Sequence, residues 1–208
     1  MTLYYYPGAC SLAPHIVLEE IGKPYKTELV STMDGSTKTS EYLKINPKGR
    51  IPFFSDGELG ITEASAIMTY LALSNPSANL IDSSPLNFAR TVEWMNWLAS
   101  VHTQIIAQNW RPERFTDEES AFEGIQRKGL RDLPETCTLI DLKLKEKEWA
   151  VDDRYSIADP YLLVFYRWGN RLGETMTRYR HWTKHTKLME RRSAVQKVLA
   201  AEKISVWE

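Results

Sequence analysis

The sequence predicts two parts of different fold class, an α/β part over residues 1–76 and an all-helical part over residues 86–208. Three observations support this division. Residues 1–73 alternate strand-like runs with helical apolar spacing, whereas the residues after Pro85 show helical spacing only. Between them, residues 75–85 are rich in Ser, Asn and Pro, which is typical of a linker. Such a change in sequence pattern along one chain indicates two domains.

The α/β part opens with a strand, a helix and a second strand. Leu3–Tyr6 is a short aromatic run with high strand propensity, and Pro7 and Gly8 end it. The following apolar residues recur at helical spacing as far as Gly22, and Tyr25–Val30 has the composition of a second strand. A strand, a helix and a strand in this order predict a crossover between parallel strands.

A hairpin and a further helix complete the α/β part. Ile51–Ile61 consists of two short apolar runs separated by Asp56-Gly57, which is a strong signal for a hairpin turn. Glu63–Leu73 then carries its apolar residues at helical spacing. The predicted order is therefore a βαβ unit followed by a hairpin and a helix.

Long helices are predicted throughout the second part. Leu86–Gln108 has apolar residues spaced by threes and fours, and Glu118–Lys147 carries a second such stripe. Pro134 lies inside the second pattern and is expected to kink or divide that helix. Ser156–Trp168 is a third helical pattern, and Met176–Ala201 is expected to hold two more.

Composition excludes several classes of function. With Lys+Arg 26 and Asp+Glu 27 the formal net charge is -1, so neither nucleic acid nor a membrane is expected as a partner. Cys10 and Cys137 are too few for a disulfide framework, and both are expected to be reduced. Met1–Tyr6 lacks the pattern of a signal peptide, and no apolar run has the length of a membrane span. A cytoplasmic protein that binds a small molecule or another protein is expected.

Cys10 and Ser11 lie where the first strand turns into the first helix. Unpaired N–H groups and the helix dipole stabilise an anion there, and a cysteine at such a position can have a lowered pKa. A thiolate, belonging to the protein or to a ligand, would be favoured. The alternative is that Ser11 caps the helix and Cys10 fills space in the core.

Two further segments suggest ligand contacts. Pro52, at the start of a predicted strand, suits a cis peptide that leaves the preceding backbone free for a ligand. The alternative is a tight turn followed by an edge strand. Thr62–Ile67 places polar residues at a helix N-terminus, where carboxylates bind, although Thr62 and Ser65 also suit ordinary capping.

The segments YYYPGACSLAPHIVLEE, NPKGRIPFF and TEASAIMTYL occur in this order and together resemble the cytosolic glutathione transferases, most closely the bacterial beta-like classes. Ser156–Asp159 resembles the capping box in the helical domain of that family. The resemblance covers nearly the whole chain. It implies a thioredoxin-like N-terminal domain that binds glutathione, and an all-α C-terminal domain that lines the site of the acceptor substrate.

The resemblance also implies roles for individual residues. Cys10 and Ser11 would be the catalytic residues that face the glutathione sulfur. Ile51, before Pro52, would pair through its backbone with the cysteinyl part of glutathione. The remaining implied glutathione-binding residues are Glu63, Ala64, Ser65, Asn96, His102 and Lys38.

Several positions depart from the family pattern. Ala64 stands where many relatives have Ser, so the N–H remains but the hydroxyl is lost, and Ser65 comes one position late. His102 comes one residue earlier than in the best-known beta-class pattern. The Lys expected after the second strand is replaced by Met33–Gly35, which leaves Lys38 as a substitute.

The resemblance implies that glutathione thiolate attacks an electrophile or a disulfide. If Ser11 is the donor, the protein conjugates glutathione to a hydrophobic electrophile, as a transferase. If Cys10 is a nucleophile, the protein is a thiol–disulfide reductase. A third hypothesis is an interaction protein that kept the fold without catalysis.

The resemblance implies further properties of the whole protein. Glutathione is a co-substrate, no metal is needed, and the protein is a homodimer. The acceptor would lie near residues 108–115, where Trp110 could line its pocket.

Other residue patterns are assigned structural roles. His181 and His185 have the spacing of metal ligands, but no third ligand is evident, so a solvated helix face is expected. The basic run Arg178–Arg192 is likewise interpreted as a solvated helix, and Cys137 and Trp94 as core.

Overall fold

The computed structural model describes the whole chain, residues 1–208. Its four strands are β1 (Thr2–Tyr5), β2 (Lys26–Leu29), β3 (Phe53–Asp56) and β4 (Leu59–Thr62). They form one mixed sheet in the order β2-β1-β3-β4. Strand β1 is parallel to β2 and antiparallel to β3, and β3 is antiparallel to β4. The parallel crossover and the hairpin that the sequence predicted are both present.

Three helices accompany the sheet: α1 (Leu12–Ile21), α2 (Ser40–Ile45) and α3 (Ala64–Ser74). Helix α2 was not predicted from the sequence, because Tyr42 is its only buried residue and six residues give no apolar period. Its first turn is capped by the Thr39 hydroxyl, which accepts the Tyr42 N–H.

From residue 85 onward the named secondary-structure elements are all helices, and six of them are α-helices. They are α4 (Pro85–Val101), α5 (Ala107–Trp110), α6 (Phe122–Lys143), α7 (Ala158–Arg171), α8 (Arg180–Glu190) and α9 (Ser193–Glu202). A π-helical segment, His102–Ile106, joins α4 to α5. The fold is therefore a thioredoxin-like sheet domain followed by an all-α domain, as predicted.

Pro134 does not divide α6, which runs through it for 22 residues. Proline removes one hydrogen bond to the carbonyl four residues earlier, that of Leu130, and Leu130 lies on the exposed side of the helix. Water can satisfy that carbonyl, while Leu133 and Cys137 stay in the core on the other side. The prediction of a core position for Cys137 is confirmed.

Helix α1 lies between the sheet domain and the helical domain. It packs against α3 on one side and against α7 and α9 on the other. A single cluster of buried apolar residues extends from Leu3 in β1 to Val206 near the C-terminus. The two domains therefore share one hydrophobic core, and the turn that precedes α1 is held against the helical domain.

Helix α7 is the most buried element, and Asp159 caps its first turn. The carboxylate accepts the Ser156 N–H at 2.7 Å and the Ala150 N–H at 2.9 Å. It also pairs with His185 Nε2 at 2.9 Å. The prediction that His185 lies on a solvated face is wrong, because this buried pair places it in the core.

None of the helices combines the length and the apolar composition that are needed to cross a bilayer.

Candidate active site

The turn between β1 and α1 is held in place through the backbone of Gly8. The Gly8 N–H donates to Glu202 Oε2 at 2.8 Å, and the Gly8 carbonyl accepts the Trp168 Nε1–H at 2.9 Å. Its φ of +67° is strained for any other residue, and a Cβ there would lie 2.5 Å from Arg167 Nη1. Side chains of α7 and α9 thus fix the turn that carries Cys10.

Glu202 is buried, and its second carboxylate oxygen pairs with His15 Nδ1 at 2.8 Å. The His15 ring lies between the rings of Tyr5 and Tyr25, with centroids 5.5 and 5.7 Å away. Both oxygens of the buried carboxylate therefore have partners, as a charge in the core requires. This arrangement joins the last helix to the first helix and to the turn before it.

The Ser11 side chain is directed into the turn. It is completely buried, and its Oγ both accepts the Tyr6 N–H and donates to the Tyr6 carbonyl, each at 3.2 Å. It makes no capping bond to α1. The hydroxyl thus bridges the end of β1 to the start of α1 and is enclosed by protein.

Cys10 is a partly exposed residue, in contrast to the buried Ser11 that follows it. Its thiol donates to the Ile51 carbonyl, with sulfur and oxygen 3.6 Å apart. Burial of the sulfur raises the pKa of the Cys10 thiol to about 11, although the N–H groups of Cys10 and Ser11 oppose that rise. The lowered pKa that the sequence position allowed is not found, because loss of hydration outweighs the favourable backbone groups.

The Ile51–Pro52 peptide is cis, which is one of the two interpretations that the sequence left open. The loop beneath it is held by Asn46 Nδ2 and by the Tyr42 hydroxyl, which donate to the Arg50 carbonyl at 2.6 and 2.8 Å. The Ile51 N–H has no hydrogen-bond partner within the chain. This backbone lies across from Cys10 and offers a free donor next to the thiol.

Glu63 precedes α3 with a φ of +69°, a strained conformation for a residue other than glycine. Its carboxylate is exposed and accepts the Lys48 ammonium at 2.6 Å, while the same ammonium donates to Thr62 Oγ1 at 2.9 Å. The Ile67 N–H is the first to bond back to Glu63, so the N–H groups of Ala64 and Ser65 remain free. This helix end combines a carboxylate, an ammonium and unpaired donors.

Lys48 was not assigned a role from the sequence, although it lies in the quoted segment NPKGRIPFF. Lys38 lies beside the same loop, with its Nζ 2.8 Å from the point where a Cβ on Gly49 would stand. Asn96 is exposed on α4 and forms no hydrogen bond with the Cys10 turn. The structure therefore places Lys38 next to the cis-proline loop, and gives Asn96 no contact there.

His102 begins the π-helical segment and stacks on Trp168, with centroids 5.3 Å apart. Burial, helped by the charges of Arg114 and Arg50, lowers the pKa of His102 to about 4. The imidazole is therefore neutral at pH 7. The charges of Arg114 and Glu63 affect the pKa of the Cys10 thiol as well as that of His102, so these two groups lie near the same charged side chains.

An aromatic cluster forms the side of the site that belongs to the helical domain. Trp168 contacts His102, Trp110 and Phe165, and Phe165 contacts Tyr161, with centroids 5.0 to 5.7 Å apart. Sequence reasoning singled out only His102 and Trp110 in this cluster. The three α7 rings recur at intervals of three and four residues, which is also the spacing of ordinary core side chains.

Comparisons with known proteins identify a family for this chain. Residues 1–73 match the family described as "Glutathione S-transferase, N-terminal domain". The chain is 33% identical to "Glutathione S-transferase GstA" of Escherichia coli O157:H7 over 208 residues, 97% of this chain and 98% of that protein.

Two solved structures are similar over nearly the whole chain. The first is a glutathione transferase homologue from Sulfitobacter with bound glutathione, with a TM-score of 0.91, 29% identity and coverage of 96% and 97% of the two chains. The second is a bacterial beta class glutathione S-transferase from Sphingomonas chungbukensis, with a TM-score of 0.86, 27% identity and coverage of 99% and 100%.

Proposed function

This chain belongs to the glutathione transferase family, and we propose that Cys10, rather than Ser11, is the side chain next to the glutathione sulfur during catalysis. The protein is a glutathione transferase, and glutathione is its substrate. One observation carries the proposal for Cys10. The Ser11 hydroxyl is completely buried and uses both its donor and its acceptor on Tyr6, whereas Cys10 is a partly exposed residue whose thiol makes one long contact, with the Ile51 carbonyl.

The role proposed for Cys10 is that of a hydrogen-bond donor. A thiol with a pKa of about 11 is protonated at pH 7, so it is a poor nucleophile but keeps its S–H. The glutathione thiolate would accept that S–H, together with the N–H groups of Cys10 and Ser11 and the positive end of the α1 dipole. This arrangement favours conjugation over the alternative of a thiol–disulfide reductase.

The glutathione backbone is proposed to lie between the cis-proline loop and α3. Ile51 offers a free N–H to the cysteinyl part, and Glu63 with the N–H groups of Ala64 and Ser65 would hold the amino and carboxylate ends of the γ-glutamyl part. Lys38, beside the cis-proline loop, would meet the remaining carboxylate. His102 is neutral and stacked on Trp168, so its proposed role is to line the acceptor pocket, while Asn96 has no assigned contact.

Conjugation forms one bond to the glutathione sulfur and breaks one bond of the acceptor. The glutathione thiol loses its proton to solvent, and the thiolate attacks the electrophilic carbon of a hydrophobic acceptor. A carbon–sulfur bond forms, and the leaving group departs with the electron pair of the bond that breaks. The chain's own residues position the thiolate and supply donors to it.

Separate Cys10→Ala and Ser11→Ala variants test this proposal, with 1-chloro-2,4-dinitrobenzene as acceptor. We expect Cys10→Ala to lower kcat/KM by about tenfold, since one donor to the thiolate is lost. Ser11→Ala is expected to lower the melting temperature more than it lowers kcat. A matched assay with hydroxyethyl disulfide reports reductase activity. Loss of conjugation confined to Ser11→Ala would contradict the proposal.

Exposed apolar side chains on α3 and α4 support association of two copies of the chain. We propose a homodimer, as the family resemblance implies, located in the cytoplasm. Leu73 at the end of α3 and Leu86 at the start of α4 are 51% and 67% exposed, and burying them against a second copy would be favourable. Sedimentation equilibrium measures the mass in solution, and a mass of about 24 kDa at micromolar concentration would reject the dimer.

A further inference from the structure

The acceptor side of the site combines partly exposed aromatic rings with an arginine that has no ion-pair partner. His102 and Trp110 both pack on the buried Trp168 and both keep exposed surface. Phe115, just beyond, is 41% exposed. Rings held in this way offer flat surfaces against which another aromatic ring packs. A polar or charged side chain is then needed to fix the orientation of an aromatic ligand on these rings.

Arg114 lies on the short turn between Trp110 and Phe115. That turn is anchored across the site, because Arg111 Nη2 donates to the Thr32 carbonyl at 3.1 Å. The Arg114 N–H in turn bonds to the Arg111 carbonyl at 3.0 Å. The backbone of Arg114 is therefore fixed on the same rim as the exposed aromatic rings.

The charge of Arg114 is felt at the reacting centre. It helps to lower the pKa of His102, and it opposes the rise that burial causes in the pKa of the Cys10 thiol. Arg114 forms neither an ion pair nor a side-chain hydrogen bond, whereas Arg111, on the same turn, forms several. An unpaired guanidinium is therefore carried by the turn that follows Trp110, on the rim formed by the exposed aromatic rings.

The other charges near this space belong to the glutathione side. Glu63 is paired with Lys48 before α3, and Arg50 lies on the cis-proline loop next to Ile51. Glu113 neighbours Arg114 along the chain and forms no ion pair with it within 4.0 Å. Arg111, on the same turn, is occupied by the carbonyls of Trp110 and Thr32 and by Met33, so Arg114 is the cation of this turn that is left to bind a ligand.

We propose that the acceptor substrates of this enzyme are aromatic electrophiles that carry an anionic substituent, with the ring against His102 and Trp110 and the anion bound by Arg114. A guanidinium matches a carboxylate with two parallel N–H donors, which fixes both distance and orientation. The inference rests on the proposed function, because it needs glutathione thiolate at Cys10.

The reaction on such a substrate keeps its charges balanced. The thiolate attacks the ring carbon that bears a halide, the carbon–sulfur bond forms, and the carbon–halogen bond breaks. The halide leaves with the electron pair, and the anionic substituent is unchanged. Arg114 binds this substituent in substrate and product alike, so it is expected to act chiefly on the KM of the acceptor.

The test compares 4-chloro-3,5-dinitrobenzoate with its methyl ester, each rate being divided by the uncatalysed rate with glutathione. We expect the wild-type enzyme to favour the acid, and Arg114→Gln to lower kcat/KM for the acid by about tenfold. The ester rate should change by less than about twofold, since the ester makes no charged contact. Arg114→Lys should keep part of the preference. Arg180→Gln on α8 removes an equal charge away from the site and should change neither rate.

The alternative outcomes are distinguishable. If Arg114→Gln lowers the rates for acid and ester equally, or raises the KM of glutathione alone, Arg114 does not bind the acceptor and the inference is wrong. A wild-type enzyme that favours the ester would overturn it as well. Absence of conjugation with both acceptors would instead reject the proposed function at Cys10.

Discussion

Gly8 is the residue on which the geometry of the Cys10 turn depends. Its two backbone groups are bonded to side chains of α9 and α7, and its left-handed conformation leaves no room for a Cβ. Gly22, at the end of α1, has a similar φ of +71° but has nothing within 4 Å of its Cβ position. An alanine at Gly22 would add backbone strain alone, whereas an alanine at Gly8 would add the same strain and a clash with Arg167.

We expect Gly8→Ala to lower the free energy of unfolding by about 2 to 4 kcal/mol and to reduce kcat, since Arg167 and the turn must move. Gly22→Ala should cost about 1 kcal/mol, the strain of a left-handed alanine alone. Urea denaturation of the two variants measures the difference. Equal losses for both would show that the contact with Arg167 is unimportant.

Cys10 has a thiol pKa of about 11, raised by burial above its ordinary value of 9.0. In a Cys137→Ala background, the rate of alkylation by iodoacetamide should therefore keep rising with pH beyond 9. The neutral thiol is favoured by folding, so its stabilising contribution is present below pH 9 and is lost as the pH rises toward 11. A plateau in the alkylation rate below pH 8 would show a lowered pKa instead.

At the scale of elements, α9 controls a turn that is far away in the sequence. Glu202 reaches Gly8 across 194 residues and also pairs with His15 of α1. On the surface, Lys197 of the same helix pairs with Glu19, and this contact is largely exposed. The buried carboxylate has both of its oxygens engaged and no water to replace its partners, so it is the stronger link between α9 and α1.

We expect Glu202→Gln to destabilise the protein by about 3 kcal/mol and to lower kcat, because the variant cannot accept from both His15 and the Gly8 N–H as the carboxylate does. Lys197→Gln on the same helix should cost less than about 1 kcal/mol, as is usual for a surface pair. Guanidinium denaturation and steady-state kinetics measure both effects. A stable Glu202→Gln variant with unchanged kcat would remove Glu202 from the positioning network.

At the scale of the whole molecule, the sheet domain and the helical domain share one core. Arg192, the residue before α9, adds a bidentate ion pair to Glu20 of α1, with nitrogen–oxygen distances of 2.6 and 3.0 Å. Helix α1 belongs to the sheet domain by connectivity and to the helical domain by much of its packing. Neither domain can lose its fold without exposing part of the core of the other.

We therefore expect the protein to unfold in a single cooperative transition. Tryptophan fluorescence reports mainly on the helical domain, since all seven tryptophans lie at or beyond Trp94. Alkylation of Cys10 reports on the sheet domain. The two denaturation curves should coincide. Separate midpoints would show that the domains unfold independently.

Periodicity and turn chemistry along the chain predicted the order of the strands and most helices. The hairpin at Asp56-Gly57 and the helix after Gly8 are local features, and their signals lie within a few residues. Helix α2 escaped prediction because it is too short to show a period. Within the site, the cis bond before Pro52 was one of two interpretations that the sequence left open. The contact between Lys48 and Glu63 was not predicted, because its partners come from different loops.

The sequence by itself determined that this protein has a thioredoxin-like domain, an all-α domain and a turn carrying Cys10 and Ser11, since each depends on residues close together in the chain. Only the tertiary structure decided how those two side chains differ. Whether a thiol is ionised or a hydroxyl is free depends on burial and on partners remote in sequence, such as Glu202, Trp168 and Ile51. Those partners meet only when the two domains close around α1.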